Sequence, residues 1–211
     1  MAIIGLGAIG KAVALNLVKG NREVILASRE IETATTFSLS LGKLTEAMTI
    51  ENAISVADII IPTIAFDAEK EFVHKYADEL RDKIIIDVSN PIAPDGNGGF
   101  KKIIENNLSS GLILSSIIGN NAKIVKTFGT LGANSLMSAS HNTPEFYTMF
   151  YANDHIEIEE IIEELIKDSG YDALKIGGIN QSIRIEVFGD LHEFGALGKT
   201  VNLTEAKTKI Q

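Results

Sequence analysis

The segment GLGAIG near the start of the chain carries three glycines at the spacing of a dinucleotide-binding turn. Gly5 allows a tight turn, Gly7 lets the backbone approach a pyrophosphate, and Gly10 lets a helix and a strand pack closely. The following helix would then face the phosphates with unpaired N–H groups and the positive end of its dipole. A small-residue packing turn is the alternative, but a strand pattern before the motif and a helical pattern after it favour dinucleotide binding. The predicted cofactor-binding residues of this turn are Gly5, Leu6, Gly7, Ala8, Ile9 and Gly10.

Ser28 and Arg29 follow the next apolar run, at the position that distinguishes NAD from NADP. An NAD site usually has an acidic residue there, roughly 20 residues after the glycines, which accepts hydrogen bonds from the ribose 2′-OH. A hydroxyl followed by a guanidinium suits a 2′-phosphate instead, because arginine donates charge-assisted hydrogen bonds to phosphate oxygens. An ordinary surface arginine, partly neutralised by Glu30, is the alternative. We favour NADP(H) as the cofactor.

Two polar segments follow the runs at residues 57–61 and 83–88, which we interpret as strands of a sheet. Ligands of open α/β sheets bind outside the carboxyl ends of the strands, so these segments are candidates for lining the cofactor. Proline and asparagine are also common turn residues, and a simple turn fits the sequence equally well. The candidates are Pro62, Thr63 and Ile64 after one run, and Ser89, Asn90 and Pro91 after the other.

Short runs rich in Ile and Val alternate with helical patterns along the chain. Strands that are apolar on both faces and alternate with helices indicate βαβ units. We therefore predict an α/β fold, a Rossmann-like doubly wound and mainly parallel sheet with helices on both faces, as a single domain over residues 1–211. The predicted strands are residues 1–4, 23–27, 57–61, 83–88, 123–128 and 146–152, and the predicted helices are residues 9–19, 65–80, 155–168 and 183–197.

The helix predicted at residues 155–168 has the clearest pattern, with an apolar stripe, Asp154 placed to cap it and Gly170 placed to end it. The stretch at residues 90–99 is rich in Gly and Pro and predicts either a surface excursion or a ligand-binding loop. Residues 200–211 are expected to fray.

Composition excludes several classes of protein. The net charge of −9 argues against nucleic acid as the main partner, since that binding depends on clustered Lys and Arg. Cysteine is absent, which excludes disulfides and thiolate metal sites, and the histidines lack metal-ligand spacing. No apolar run approaches the roughly 18–20 residues that span a bilayer, and no secretory signal pattern is visible. We expect a cytoplasmic protein that binds neither membrane nor nucleic acid.

With these residues placed, the chain resembles the NADP-dependent deazaflavin (coenzyme F420) reductase family and its small dinucleotide-binding oxidoreductase relatives. The segments that carry the resemblance are GLGAIG, ASR, IPT, DVSNP, AKIVKTFGTLGANSL and SGYDALKIGGI. The resemblance implies NADP along residues 5–10, Ser28 and Arg29, with the nicotinamide near residues 90–91 and the turn at residues 128–130. It also implies direct hydride transfer between NADPH and a flavin or deazaflavin, as second cofactor or substrate. No catalytic side chain is then required, because the cofactors carry the chemistry.

The sequence leaves several alternatives open. Relatives carry a polar Asn or His where this chain has Gly129, which affects the second-cofactor pocket more than the NADP site. A non-catalytic NADP-sensing protein is one alternative function. A small β-hydroxyacid-type dehydrogenase that uses Lys102 is another, although we interpret Lys102 as a surface residue. Tyr171 and Lys175 have the spacing of a helical catalytic pair but lie in a predicted strand.

The acceptor is expected to be a small molecule. The apolar residues of the final segment fit a homodimer surface as well as a core helix.

Overall fold

A computed structural model of the chain describes residues 1–119 and 121–210. The strands are β1 Ala2–Ile4, β2 Val24–Ala27, β3 Thr45–Met48, β4 Ile59–Pro62, β5 Ile84–Asp87, β6 Ile92–Pro94, β7 Phe100–Lys102, β8 Lys123–Lys126, β9 Thr148–Asn153 and β10 Asp172–Lys175. The α-helices are α1 Ala8–Lys19, α2 Ile31–Leu41, α3 Ile50–Val56, α4 Phe66–Lys75, α5 Ser110–Ile118, α6 Ala133–Ser138, α7 Glu159–Asp168 and α8 Leu203–Lys207. Short 3-10 helices cover Ile156–Ile158 and Ile179–Ile185.

Eight strands form one sheet in the order β10-β9-β8-β5-β4-β1-β2-β3. Neighbouring strands are parallel except β8 and β9, which pair antiparallel. The direction of winding reverses between β1 and β4, and open α/β sheets bind their ligands outside the carboxyl ends of the strands at such a point. The predicted α/β, doubly wound and mainly parallel fold is confirmed.

The sheet is covered on both faces because side chains alternate along each strand. Ile3 packs in a cluster with the apolar faces of α1, α6 and α7. Its neighbour Ile4 points to the opposite face and packs in a second cluster with α3, α4 and α5. Both strand residues are buried. The ends of the strands are therefore left uncovered, and a ligand site can form there.

The stretch at residues 90–99 contains regular structure, where we predicted an irregular loop. Strand β6 pairs antiparallel with β7 and forms a small hairpin. Its turn is held by Asp95, whose Oδ1 accepts hydrogen bonds from the backbone N–H groups of Asn97 and Gly99. The turn residues Gly96 and Gly98 have positive φ angles, which glycine adopts at little cost.

The prediction of a helix at residues 183–197 is wrong. The chain forms the 3-10 helix Ile179–Ile185 and then a series of tight turns, because two glycines bring backbone segments too close for side chains. A Cβ on Gly189 would overlap the carbonyl oxygens of Ile183 and Arg184, and a Cβ on Gly195 would overlap that of Gly189. The segment instead forms a wall that folds back over the end of β5.

Two smaller expectations about the second half need correction. Asp154 does not cap the helix: its Oδ1 accepts a hydrogen bond from the backbone N–H of Ile179 at 3.0 Å, and α7 begins after a 3-10 turn. The tail does not fray over its described part, since α8 is capped by Asn202 and packs through the buried Val201 and Ala206. Gln211, the last residue of the predicted frayed tail, lies outside the described residues. Gly170, with φ +87°, does follow the end of α7, as predicted.

Candidate functional site

The glycine turn between β1 and α1 is shaped by close backbone contacts. Gly5 has a φ of +102°, and a Cβ there would lie 2.7 Å from the side chain of Ile64. A Cβ on Gly10 would overlap the carbonyl oxygen of Gly5 and the hydroxyl of Thr63. Thr63 Oγ1 donates a hydrogen bond to that same carbonyl, and the Thr63 N–H donates to the carbonyl of Ile4 at 2.8 Å. Both glycines and Thr63 therefore fix the conformation of the turn.

Gly7 is the position of the turn that faces open space. A Cβ on Gly7 would have no heavy atom within 4 Å, and its backbone is extended rather than left-handed. It precedes the first residue of α1, and no side chain caps the helix. Gly7 and Ala8 are exposed, so the free N–H groups of the first helical turn face the adjoining cavities. Unpaired N–H groups at a helix N-terminus are suited to phosphate.

A cavity of about 630 Å³ extends from the glycine turn towards the end of β2. Ser28, Arg29, Glu30 and Thr33 line it there, and Tyr76 of the segment after α4 is also part of its lining. Ser28 Oγ donates a hydrogen bond to the carbonyl of Glu30, while the Arg29 side chain is exposed. The cavity thus combines a helix N-terminus at one end with a guanidinium at the other.

A second cavity of about 680 Å³ continues from the glycine turn along the ends of β5 and β8. It shares four residues with the first cavity, namely Gly7, Thr63, Ile64 and Ala65. Three aromatic rings surround its mouth and are each more than half exposed: Phe100 of β7, and Phe188 and Phe194 of the C-terminal segment. Ser89 and Asn90 form part of the inner surface. The two cavities form one continuous crevice across the carboxyl ends of the strands.

Gly129 organises the inner end of the second cavity through its carbonyl oxygen. Asn90 Nδ2 and His192 Nε2 both donate to this oxygen, each at 2.9 Å. A Cβ on Gly129 would lie 2.5 Å from the carbonyl oxygen of Val88, so no side chain fits there in this conformation. Asn90 Oδ1 also accepts from the backbone N–H of Val187 at 2.7 Å. The C-terminal segment is thereby fixed to the end of β5.

His192 is neutral in this arrangement. Its Nδ1 accepts a hydrogen bond from the backbone N–H of Phe194 at 2.9 Å, which leaves the ring proton on Nε2 for the carbonyl of Gly129. Burial lowers the pKa of His192 to about 4. Both ring nitrogens are therefore occupied. The sequence, in which the histidines lack metal-ligand spacing, did not indicate that His192 lies at the cavity.

Most of the predicted site residues line the crevice. Gly5, Leu6, Gly7, Ser28, Arg29, Thr63 and Ile64 line the first cavity, and Gly7, Ala8, Ile9, Thr63, Ile64, Ser89 and Asn90 line the second. Gly10, Pro62 and Pro91 are buried and line neither cavity. Their predicted contact with a cofactor stays a prediction.

The two other candidate groups lie away from the crevice. Lys102 lines neither cavity, and its Nζ donates hydrogen bonds to the carbonyls of Leu108 and Asn106 at 2.6 and 3.1 Å. Tyr171 and Lys175 lie in and beside β10, with the Tyr171 hydroxyl donating to the carbonyl of Leu136. Within residues 1–119 and 121–210, no three His, Asp or Glu side chains are grouped to hold a metal ion. No helix in the same residues has the length and apolar character to cross a membrane.

The fold and the continuous crevice define a dinucleotide-binding protein of the Rossmann type. Comparisons with known proteins show which family of such proteins the chain resembles. Residues 1–91 match the family described as NADP oxidoreductase, coenzyme F420-dependent. Over 197 residues the chain is 25% identical to the F420-dependent NADP reductase of Methanothermobacter thermautotrophicus, which covers 88% of this chain and 84% of that protein. The predicted resemblance is confirmed, since both the matching family and this relative are NADP oxidoreductases.

Two further similarities extend over most of the chain. It is 23% identical over 186 residues to Metalloreductase STEAP3 of Rattus norvegicus, covering 88% of this chain but 35% of that much longer protein. The crystal structure of a hypothetical protein from Sinorhizobium meliloti superposes with a TM-score of 0.79 at 27% identity, covering 96% of this chain and 93% of the other. The structural similarity therefore extends over nearly the whole chain.

Proposed function

We propose that the chain transfers hydride between NADPH and a flat flavin- or deazaflavin-like ring, the two lying end to end in the crevice. The observation that carries this proposal is the junction of two unlike cavities at Gly7 and residues 63–65. One has a helix N-terminus and a guanidinium, and the other has an apolar, aromatic mouth. When bound, NADPH supplies the hydride and the ring accepts it, so the protein has to bind and orient both.

The first cavity fits the adenosine half of NADP(H). The free N–H groups after Gly7 would bind the pyrophosphate, where the positive end of the α1 dipole favours negative charge. Arg29, exposed at the far end, would bind the 2′-phosphate. Ser28 would join it by turning its hydroxyl from the carbonyl of Glu30 to the phosphate. A serine hydroxyl rotates freely enough to do so.

The second cavity fits the nicotinamide and the acceptor ring. Asn90 lies on its inner surface but already uses its amide in bonds to Gly129 and Val187, so it shapes the surface rather than binding a ligand directly. The rings of Phe100, Phe188 and Phe194 at the mouth would stack on or flank a planar acceptor and exclude water. Excluding water protects a hydride transfer from side reactions.

The test of the proposed function is anaerobic oxidation of NADPH by the full chain in the presence of FMN or a deazaflavin, monitored by the absorbance of the reduced nicotinamide. Steady oxidation with either ring supports the proposal. NADPH that binds without being oxidised by any acceptor would mean that the chain only senses the nucleotide. Phe188→Ala locates the acceptor: it should raise KM for the ring and leave NADPH affinity unchanged, whereas Leu39→Ala, an exposed residue of α2 outside both cavities, should alter neither.

A further inference from the structure

Phe188, at the mouth of the second cavity, has a backbone conformation that phenylalanine rarely adopts. The carbonyl of Glu186 accepts a hydrogen bond from the N–H of Gly189 at 2.7 Å, which closes a four-residue turn. The third residue of this turn, Phe188, has a φ of +75°, whereas Val187 before it does not have a positive φ. This is the pattern of a type II turn, whose third residue is normally glycine or asparagine. A phenylalanine at that position strains the backbone.

Burial of the ring does not explain the strain at Phe188. Among the described residues, the other non-glycine residues with a positive φ are Asn21, Asp82, His141 and Phe128. The first three belong to the residue types that adopt this conformation most readily. Phe128 buries its ring in the core, where packing stabilises it. Phe188 is instead 53% exposed and lines the second cavity. Strain that packing does not account for is typical of ligand-binding residues.

Contacts on both sides of Phe188 fix the strained turn. The N–H of Val187 donates to Asn90 Oδ1 at 2.7 Å, and the carboxyl of Glu186, a residue that is 1% exposed, accepts from the N–H of Ser110 at 2.7 Å. On the other side, Gly189 packs so closely on the preceding 3-10 helix that no Cβ would fit. The backbone therefore directs the Phe188 side chain to the mouth before a ligand arrives, and such pre-organisation lowers the entropy cost of binding.

The lining of the second cavity is uncharged. The described residues that line it include no Lys, Arg, Asp or Glu, and its His192 is neutral, since burial lowers the pKa of this side chain to about 4. The polar side chains of Thr63, Ser89 and Asn90 already donate to partners within the chain. A carboxylate or phosphate that entered the cavity would lose its water without gaining a charged partner, which is costly.

The charged groups behind this lining are closed off from it. Lys126 Nζ donates to Asp87 Oδ2 at 2.9 Å, and both side chains are fully buried. Glu69 of α4 has no exposed surface either. A ligand in the second cavity therefore meets aromatic and aliphatic surface rather than these charges.

We propose that Phe188 determines which acceptor is used: its ring stacks on an uncharged planar ring, and charged substituents of the acceptor stay in the water outside the mouth. The inference rests on the proposed function and deepens it by naming the class of acceptor. Stacking uses the face of an aromatic ring and needs no charge on either partner. Small keto acids offer no such face and carry a carboxylate, so they are excluded as acceptors.

Thermal unfolding tests the strained turn. Phe188→Gly should melt at a higher temperature than Phe188→Ala, because glycine adopts a positive φ without strain and alanine does not. Phe194, at the same mouth, does not have a positive φ and supplies the matched control. There the order should reverse, with Phe194→Gly melting at a lower temperature than Phe194→Ala. A Phe188→Gly variant that is less stable than Phe188→Ala would overturn the strained presentation of the ring.

Binding of riboflavin to the full chain, followed by the fluorescence of the flavin itself, tests the acceptor class without turnover. Phe188→Ala should weaken binding by roughly tenfold because it loses the stacking, whereas Phe188→Tyr should bind as the wild type does. FMN, which adds a phosphate to riboflavin, should bind within about threefold of riboflavin at about 0.15 M ionic strength, since charges in water are screened. Wild-type affinity in Phe188→Ala, or an FMN affinity outside this range, would overturn the inference.

Turnover separates the inference from the proposed function. With NADPH as the donor, Phe188→Ala should raise KM for riboflavin and leave kcat nearly unchanged, because stacking holds the ring in the ground state and the transition state alike. The wild type should not reduce pyruvate, a small keto acid, and reduction of pyruvate would overturn the uncharged class of acceptor. Riboflavin that binds through Phe188 without being reduced would contradict hydride transfer but support Phe188 as the residue that holds the ring.

Discussion

His192 Nε2 donates a hydrogen bond to the carbonyl oxygen of Gly129 over 2.9 Å, joining the C-terminal segment to the turn after β8. The sequence left Gly129 without the polar side chain expected from the resemblance. A Cβ at Gly129 would be 2.5 Å from the carbonyl of Val88, and the imidazole of His192 lies beside this position instead. A polar ring at the inner end of the second cavity is thus supplied by a segment about 60 residues further along the chain.

His192 should make the folded protein sensitive to mild acid. Its pKa is about 4 in the folded chain and 6.5 in its ordinary state, so the unfolded chain binds more protons between these values. Stability contributed by the neutral ring is therefore fully present above pH 6.5 and is lost as the pH falls towards 4, by about 3 kcal/mol in total. Urea unfolding at pH 7 and pH 4.5 should show this loss in the wild type and a smaller loss in His192→Gln. Equal losses in both proteins would mean that another group controls the acid sensitivity.

Arg29 should determine the preference for NADPH. A charge-assisted hydrogen bond contributes about 1.5–3 kcal/mol, and ~1.4 kcal/mol corresponds to a tenfold change in affinity. Arg29→Ala should therefore weaken NADPH binding by roughly ten- to a hundredfold and leave NADH binding nearly unchanged, as measured by calorimetry. Arg81→Ala, which removes an exposed guanidinium paired with Asp78, is the matched control. Equal affinities of the wild type for NADH and NADPH would show that Arg29 is only a surface residue.

Ser28→Asp should shift the preference further, towards NADH. A carboxylate at the end of β2 repels a 2′-phosphate and accepts a hydrogen bond from a ribose 2′-OH. The variant should bind NADPH more weakly than Arg29→Ala does and bind NADH more tightly than the wild type. Competition titrations with both nucleotides measure the ratio. An unchanged ratio would place the ribose elsewhere than at the end of β2.

Gly7 and Gly10 should respond differently to an added side chain. Gly7→Val should fold normally, because the space around its Cβ is open and its backbone is extended, but should lose NADPH binding where the pyrophosphate meets the backbone. Gly10→Ala should instead lower the melting temperature, because its Cβ overlaps the carbonyl of Gly5. Thermal unfolding and calorimetry on both variants separate the two effects. A folded Gly7→Val variant with undiminished NADPH affinity would disprove the assignment of the glycine turn.

The parts of the site that the sequence predicted are those encoded by neighbouring residues. The glycine turn, Ser28 and Arg29 follow local strand and helix patterns, so their positions at the ends of strands could be derived. The wall of the second cavity could not, because its path depends on contacts between Gly189 and the carbonyls of Ile183 and Arg184. An apolar pattern with glycines was interpreted as a helix there, since no local signal shows that the glycines are needed for close packing.

The buried ion pair between Asp87 and Lys126 was missed for a related reason. Asp87 and Lys126 are the last residues of β5 and β8, which we predicted as strands from their Ile and Val residues. Glu69 lies on a helix, where acidic residues are usually solvated. Only the parallel pairing of β5 with β8, which sets Asp87 opposite Lys126, brings the charges together. Pairing between distant strands is decided by the whole sheet, and no spacing along the chain reveals it.

The most direct test of the account follows the hydride itself. NADPH carrying deuterium on either face of C4 should be mixed with the full chain and a deazaflavin, whose accepting position is a carbon that retains the label. For one of the two faces, mass spectrometry should find the deuterium on the reduced ring, with none released to water. Deuterium in the solvent, or NADPH that keeps its label from both faces while bound in the crevice, would contradict direct hydride transfer between two ligands lying end to end.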